Sequence, residues 1–152
     1  MIRVDILDRQ SLFAIDRTII RAWVKESLRI EGKTDAEICI LFTDNAGIRE
    51  LNKTYLGRDR STNVISFSQQ EGIGPVNPHL GDVVISLEEA ALEAEDGGMP
   101  VSERILQLLV HGICHLCGYD HEGVSDDMVQ QMETAEEMIR RRLKVPQAFV
   151  KR

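Results

Sequence analysis

Three of the four histidines in this 152-residue chain lie within eleven residues, as His111-x-x-x-His115-x-x-Gly118-x-x-His121. At about 100° per residue, four steps along a helix return close to the starting direction. His111 and His115 therefore share one helix face, one turn apart. Gly118 can leave the helix in a left-handed conformation, and the turned chain then delivers His121. Neutral imidazoles are good zinc ligands, and a pair at this spacing on a rigid helix holds two of them. A third from beyond the helix stop completes a tripod with a fourth position open, the arrangement of a catalytic zinc centre rather than a closed structural one. A single buried histidine is usually a hydrogen-bonded core residue. Three at this spacing around a glycine outweigh that reading.

Two nearby features narrow the chemistry. Metzincin peptidases share the histidine spacing but carry a glutamate directly after the first histidine as general base. Here that position is Gly112, so a conventional zinc-peptidase mechanism lacks its base. Cys114 and Cys117 form a lone C-x-x-C, which is weak evidence for metal or redox chemistry. Both sit in an apolar segment where free cysteine packs as a small hydrophobe. Cys114, three residues after His111, is the alternative fourth ligand.

The elements that must position these groups follow from periodicity. Residues 105–117 are apolar almost all round, the pattern of a helix buried on most faces, and this central helix should begin at Ser102 and end at Gly118. Ile2, Val4 and Ile6 alternate with polar residues as in a half-buried strand. A helix from about Asp16 follows, with Ile19, Ile20, Trp23, Val24 and Leu28 on one face and Gly32 as its stop. Residues 37–43 read as a more buried strand, and Asp44 or Asn45 caps a helix ending near Gly57. Further strands are expected over 63–68 and 81–86, separated by a loop at 69–80 that contains His79 as an exposed side chain. Ser86 and Glu89 fit a capping box for a short acidic helix stopping at Gly97-Gly98. A last helix runs from about Ser125 to Leu143. The expected architecture is one α+β domain over residues 1–152, a small mixed sheet of about four strands packed with helices.

Composition bounds the function. Hydrophobic residues are 43% and charged residues 28%, ordinary for a globular protein. No apolar run reaches membrane-span length, the N-terminus lacks a signal-peptide pattern, and three cysteines suit a reducing compartment without disulfide partners, so a cytoplasmic protein is expected. The net charge of −7 argues against coating nucleic acid through bulk charge. It is concentrated in residues 61–100, which hold seven acidic and no basic side chains, leaving room for a local basic surface in the first third. Arg140, Arg141, Arg142 and Lys144 close the last helix, where cations suit the dipole; contact with ribosomal RNA or protein is the sharper alternative.

The stretch His111-Gly112-Ile113-Cys114-His115-Leu116-Cys117-Gly118-Tyr119-Asp120-His121 resembles the H-G-x-x-H-L-x-G-Y-D-H signature of the YbeY family of rRNA-maturation endoribonucleases. Leu51-Asn52-Lys53-Thr54-Tyr55 followed by Asp59, Thr62, Val64, Ser66 and Phe67 is similar to the family's stretch before its third strand, as is Leu80-Gly81-Asp82-Val83-Val84-Ile85-Ser86 to its L-G-D-I-x-I-S segment. The resemblance implies a cytoplasmic enzyme with one zinc ion per chain, held by His111, His115 and His121. It would cut single-stranded RNA, acting in 16S rRNA 3′-end maturation and ribosome quality control with the ribosome or its small subunit as partner. The alternative is a ribosome-associated binding factor with a structural metal and little nuclease activity. One position departs: after the tyrosine the family usually has an arginine facing the substrate, and here it is Leu56. Arg58 and Arg60 are the candidate replacements for substrate binding; otherwise they are solvated loop side chains. Asp120, beside His121, is expected to orient or cap rather than act as base, and Glu103 and Glu122 have no better case.

Overall fold

In the computed structural model, which describes residues 1–69, 78–118 and 126–152, three parallel strands form the spine. They are β1 (Ile2–Asp8), β3 (Ala36–Thr43) and β5 (His79–Ser86), and β4 (Val64–Ser68) adds antiparallel to β5 at one edge, giving the order β1-β3-β5-β4. The expected α+β fold with a four-stranded mixed sheet is what the chain adopts. The alternation at Ile2, Val4 and Ile6 sends those side chains into the core. Val83, Val84, Ile85 and Ser86 are buried without alternation, because helices lie on both faces of this part of the sheet.

Each helix starts where a local cap permits. Asp16 accepts from the Ile19 amide to open α1 (Arg17–Ile30), and Asp44 does the same for α2 (Asn45–Leu56) through Gly47. Ser86 accepts from Glu89 to open α3 (Leu87–Asp96). The helix α4 (Val101–Leu116) begins after Pro100, one residue earlier than expected. Ser102 does not cap it: its buried hydroxyl accepts from the amides of Ala148 and Phe149, 3.1 and 3.3 Å away, and so ties down the C-terminal tail. The last helix, α5, spans Asp126–Arg142.

Two short strands have no counterpart in the sequence reading. β2 (Phe13–Ile15) and β6 (Phe149–Lys151) pair antiparallel, joining the two ends of the chain. Phe149 lands edge-on against Phe42, with ring centroids 5.4 Å apart. His79 also differs from its expected loop position. It is the first residue of β5, partly buried, with Nε2 3.7 Å from Asp82 Oδ1. Helices α1 and α4 share the main core with one sheet face, whereas α2 covers part of the other through Ile48, Ile65 and Val84.

Candidate metal centre on the buried helix

Most of α4 is buried, including Ile105, Leu106, Leu109, Val110 and Ile113. Apart from Val101 and Glu103 in the first turn, one narrow stripe reaches solvent, and it runs through Arg104, Gln107, His111 and His115 at spacings of three and four residues. The two imidazoles are therefore one turn apart on the accessible face of an otherwise immobilised helix. Gly118 follows the helix end with φ +106°, so the chain exits as expected. His121, Asp120 and Glu122 lie outside the described residues.

The partner of His111 comes from far along the chain. Its Nδ1 is 2.6 Å from Oε1 of Glu136, a buried carboxylate on α5 whose other oxygen is 3.9 Å from Arg140 Nη1. A carboxylate can only accept when ionised, so Nδ1 carries the proton in this pairing and Nε2 is the nitrogen with a lone pair to offer a metal. Carboxylate–imidazole–metal chains of this kind fix ring orientation and raise ligand basicity. The donor chemistry thus fits zinc. Among the described residues no group of three ligating side chains gathers; the third expected ligand, His121, lies outside them. Sequence reasoning missed Glu136. The signal was there: Met132, Glu136 and Ile139 share the helical spacing of a core-facing stripe, and a carboxylate among such positions needs a partner.

Gly112 has a packing role that its missing side chain makes plain. A Cβ at this position would stand 2.6 Å from Val83 Cγ1 and 3.1 Å from Ser66 Oγ. Ser66 donates to the Gly112 carbonyl at 3.1 Å. The helix thereby rests its backbone against β4 and β5, and the position that peptidases give to a base is here filled by the sheet.

The cysteines are packing groups. Cys39, Cys114 and Cys117 are free thiols. Cys114 lies in the main core, where burial pushes its thiol well above the usual range, and burial pushes Cys117 up to about 11. Cys114 is fully buried, off the exposed stripe that carries the two histidines, and Cys117 packs against the same core.

Arg58 and Arg60 follow the C-terminal end of α2. Both are exposed, and their guanidinium groups have no hydrogen bond or ion pair among the described residues. Their backbone is held firmly. Buried Asn52 receives the Arg58 amide on its carbonyl at 3.2 Å and donates through Nδ2 to the Arg60 carbonyl at 2.9 Å. Between them Asp59 pairs with Arg49 at 2.8 Å, which holds the carboxyl of Asp59 below its ordinary pKa. The loop then enters β4, whose Ser66 touches the histidine helix. Leu56 is exposed at the end of α2.

The chain is similar to known proteins over most of its length. The family model described as Endoribonuclease YbeY matches residues 5–144. The Endoribonuclease YbeY of Geobacter metallireducens is 42% identical over 139 residues, covering 90% of this chain and 93% of that protein. That of Bradyrhizobium sp. is 39% identical over 140 residues, covering 88% and 82%. The solution structure of TM1509 from Thermotoga maritima superimposes with a TM-score of 0.58 at 22% identity, over 91% of this chain and 89% of that one, a likeness of fold.

Proposed function

Because the chain belongs to the Endoribonuclease YbeY family and is a hydrolytic nuclease on that basis, we propose that it is a zinc-dependent endoribonuclease specific for single strands. In this reading it acts in the cytoplasm on the 3′ end of 16S rRNA and in ribosome quality control, with the small ribosomal subunit as partner. The observation that carries the metal assignment is the pair His111–His115 on the exposed stripe of α4, with Glu136 on Nδ1 of His111.

His111 and His115 hold the ion through ring nitrogens, and His121 is the third ligand. When bound, zinc supplies Lewis acidity toward a phosphodiester oxygen. Glu136 keeps the His111 ring in one tautomer and one orientation. The buried contacts of α4 keep both imidazoles from turning away with their helix, so little reorganisation is left for the moment of reaction. Arg58 and Arg60, on a loop braced by Asn52, bind the phosphates that flank the scissile bond, a task for which the guanidinium fork is suited.

The test is cleavage of a single-stranded 16S rRNA 3′ precursor by zinc-loaded protein beside His115→Ala purified identically. Turnover that depends on His115 is the expected result. Equal cleavage by both proteins assigns the activity to a contaminant. Absence of cleavage in both moves the reading to a ribosome-associated binding factor, which exposed Leu56 in the family's arginine position favours; Leu56→Arg then tests whether a cation restores turnover.

A further inference from the structure

A row of four cations on α1 is only half accounted for by contacts among the described residues. Arg17, Arg21, Lys25 and Arg29 recur every fourth residue, so they line one face over three turns, about 6 Å apart along the axis. Helix energetics disfavour the arrangement twice. Like charges at this spacing repel, and behind the capping Asp16 the first turn carries Arg17 and no acid, at the end where the dipole prefers negative charge.

The contrast with α5 is direct, because there two of the three cations are partnered within the helix. Arg140 and Arg141 each face a glutamate four residues back, and the cationic run sits at the C-terminal end. On α1 only Arg29 has an acidic partner, Glu26 at 3.8 Å, while Arg21 Nε reaches the Val4 carbonyl at 3.4 Å. Arg17 and Lys25 form no ion pair among the described residues.

The row borders a concave surface. A groove of about 660 Å³ runs between α1 and residues 143–146, with Arg21, Lys25, Arg29 and Lys144 on its walls and Glu26 as its one acid. The far wall is built rather than loose: Trp23 Nε1 donates to the Lys144 carbonyl at 3.0 Å. Helix α1 packs against α4, the helix that carries both histidines.

We infer that this groove is a second RNA-binding surface, which holds the phosphate backbone of a single strand whose scissile bond lies at the histidine site. The inference rests on the nuclease reading for the identity of the polyanion and for the place of the scissile bond. A regular row of cations in a chain of net charge −7 suits a polymer with one charge per unit, and a basic groove tracking the backbone is the usual device for strands held without sequence preference.

Salt dependence tests it. Binding of a fluorescent single-stranded RNA is measured with the His115→Ala protein, which leaves the strand intact, between about 50 and 200 mM salt. Adding Arg21→Gln, Lys25→Gln, Arg29→Gln and Lys144→Gln should weaken binding about tenfold or more at the low end. The same change should lower the slope of log affinity against log salt by two to three, at about 0.7 per cation. Lys25→Gln with Arg29→Gln, which disturbs no backbone contact, should give about half of that change if the fourfold variant folds poorly. Arg141→Gln with Arg142→Gln on α5 should change nothing.

Unchanged affinity and slope in the α1 variants would overturn the assignment. So would an equal drop in the α5 control, or poly-glutamate bound as tightly as RNA, which would make the groove a site for an acidic protein. A failure of the nuclease reading is separate: zinc-dependent cleavage that ignores His115 leaves the salt slope untouched.

Discussion

The exposed stripe of α4 divides into two halves that are built alike and used differently. In the first half, Arg104 places Nε and Nη2 on Glu93 Oε1 at 3.1 and 3.0 Å and donates through Nη1 to Gln107 at 2.8 Å. Glu93 also accepts from Asn63, so α3, α4 and the start of β4 close into one polar network. The second half is less closed: His111 leans on Glu136, and the His115 ring has no hydrogen bond or ion pair among the described residues. Polar groups that satisfy one another are structure. In the proposed reading, an imidazole pair on a rigid face, with one ring's orientation set from behind, is a site prepared for a ligand.

The strongest way to break this division is His115→Ala. It should cost more in cleavage than the roughly 100-fold typical of losing a supporting partner, with an unchanged circular dichroism spectrum. Zinc at about one hundred times its dissociation constant should stabilise the wild type by about 2.7 kcal/mol against urea and the variant by almost nothing. A variant that keeps both the cleavage and the zinc-dependent shift would put His115 with Arg104 among the structural groups.

Glu136 sharpens the comparison. Glu136→Gln keeps an acceptor for Nδ1 but removes the charge, and Glu136→Ala removes both. Zinc affinity, read by chelator competition, should fall about 10-fold for the first and towards 100-fold for the second. Equal affinity in all three proteins would reduce Glu136 to a buried ion-pair partner of Arg140.

Gly112→Ala acts on the boundary between the halves. Forcing a methyl group against Val83 costs about 1 to 3 kcal/mol, and the gain in helix propensity returns about 1. A net loss of up to about 2 kcal/mol in urea stability is expected, with a weaker zinc site because both histidines ride on the displaced helix. A stability gain would show that the helix can lift off the sheet at no cost. The smallest effect belongs to Arg104→Ala. Its pair with Glu93 is partly exposed, so stability should drop by no more than about 1 kcal/mol and cleavage should stay as it is. A large loss of turnover there would erase the distinction between the halves.

Local rules account for what was legible in advance. Asp16, Asp44 and Ser86 cap their helices because a short side-chain acceptor beside free amides is a matter of three residues. The sharing of a face by His111 and His115 follows from the helical repeat alone, and the glycine exit at Gly118 from the backbone freedom of one residue. The strand pattern at Ile2, Val4 and Ile6 is equally local. Each of these statements needs no knowledge of what the element packs against.

Tertiary structure decided the rest, and in every case the partner is distant in the chain. Glu136 reaches His111 across 25 residues. The β2–β6 pairing joins residues 13–15 to residues 149–151 through strands too short to declare themselves by pattern. Ser102 read only as the start of a helix, and its hydroxyl anchors amides 46 and 47 residues away. Gly112 read as a missing base, and only the approach of Val83 reveals the helix–sheet contact that excludes a side chain. Helix periodicity and capping are encoded within a few residues, so sequence determined the helices and the histidine face. Hydrogen-bond partners, close packing and the groove beside α1 depend on which elements meet, and only the folded chain brings those together.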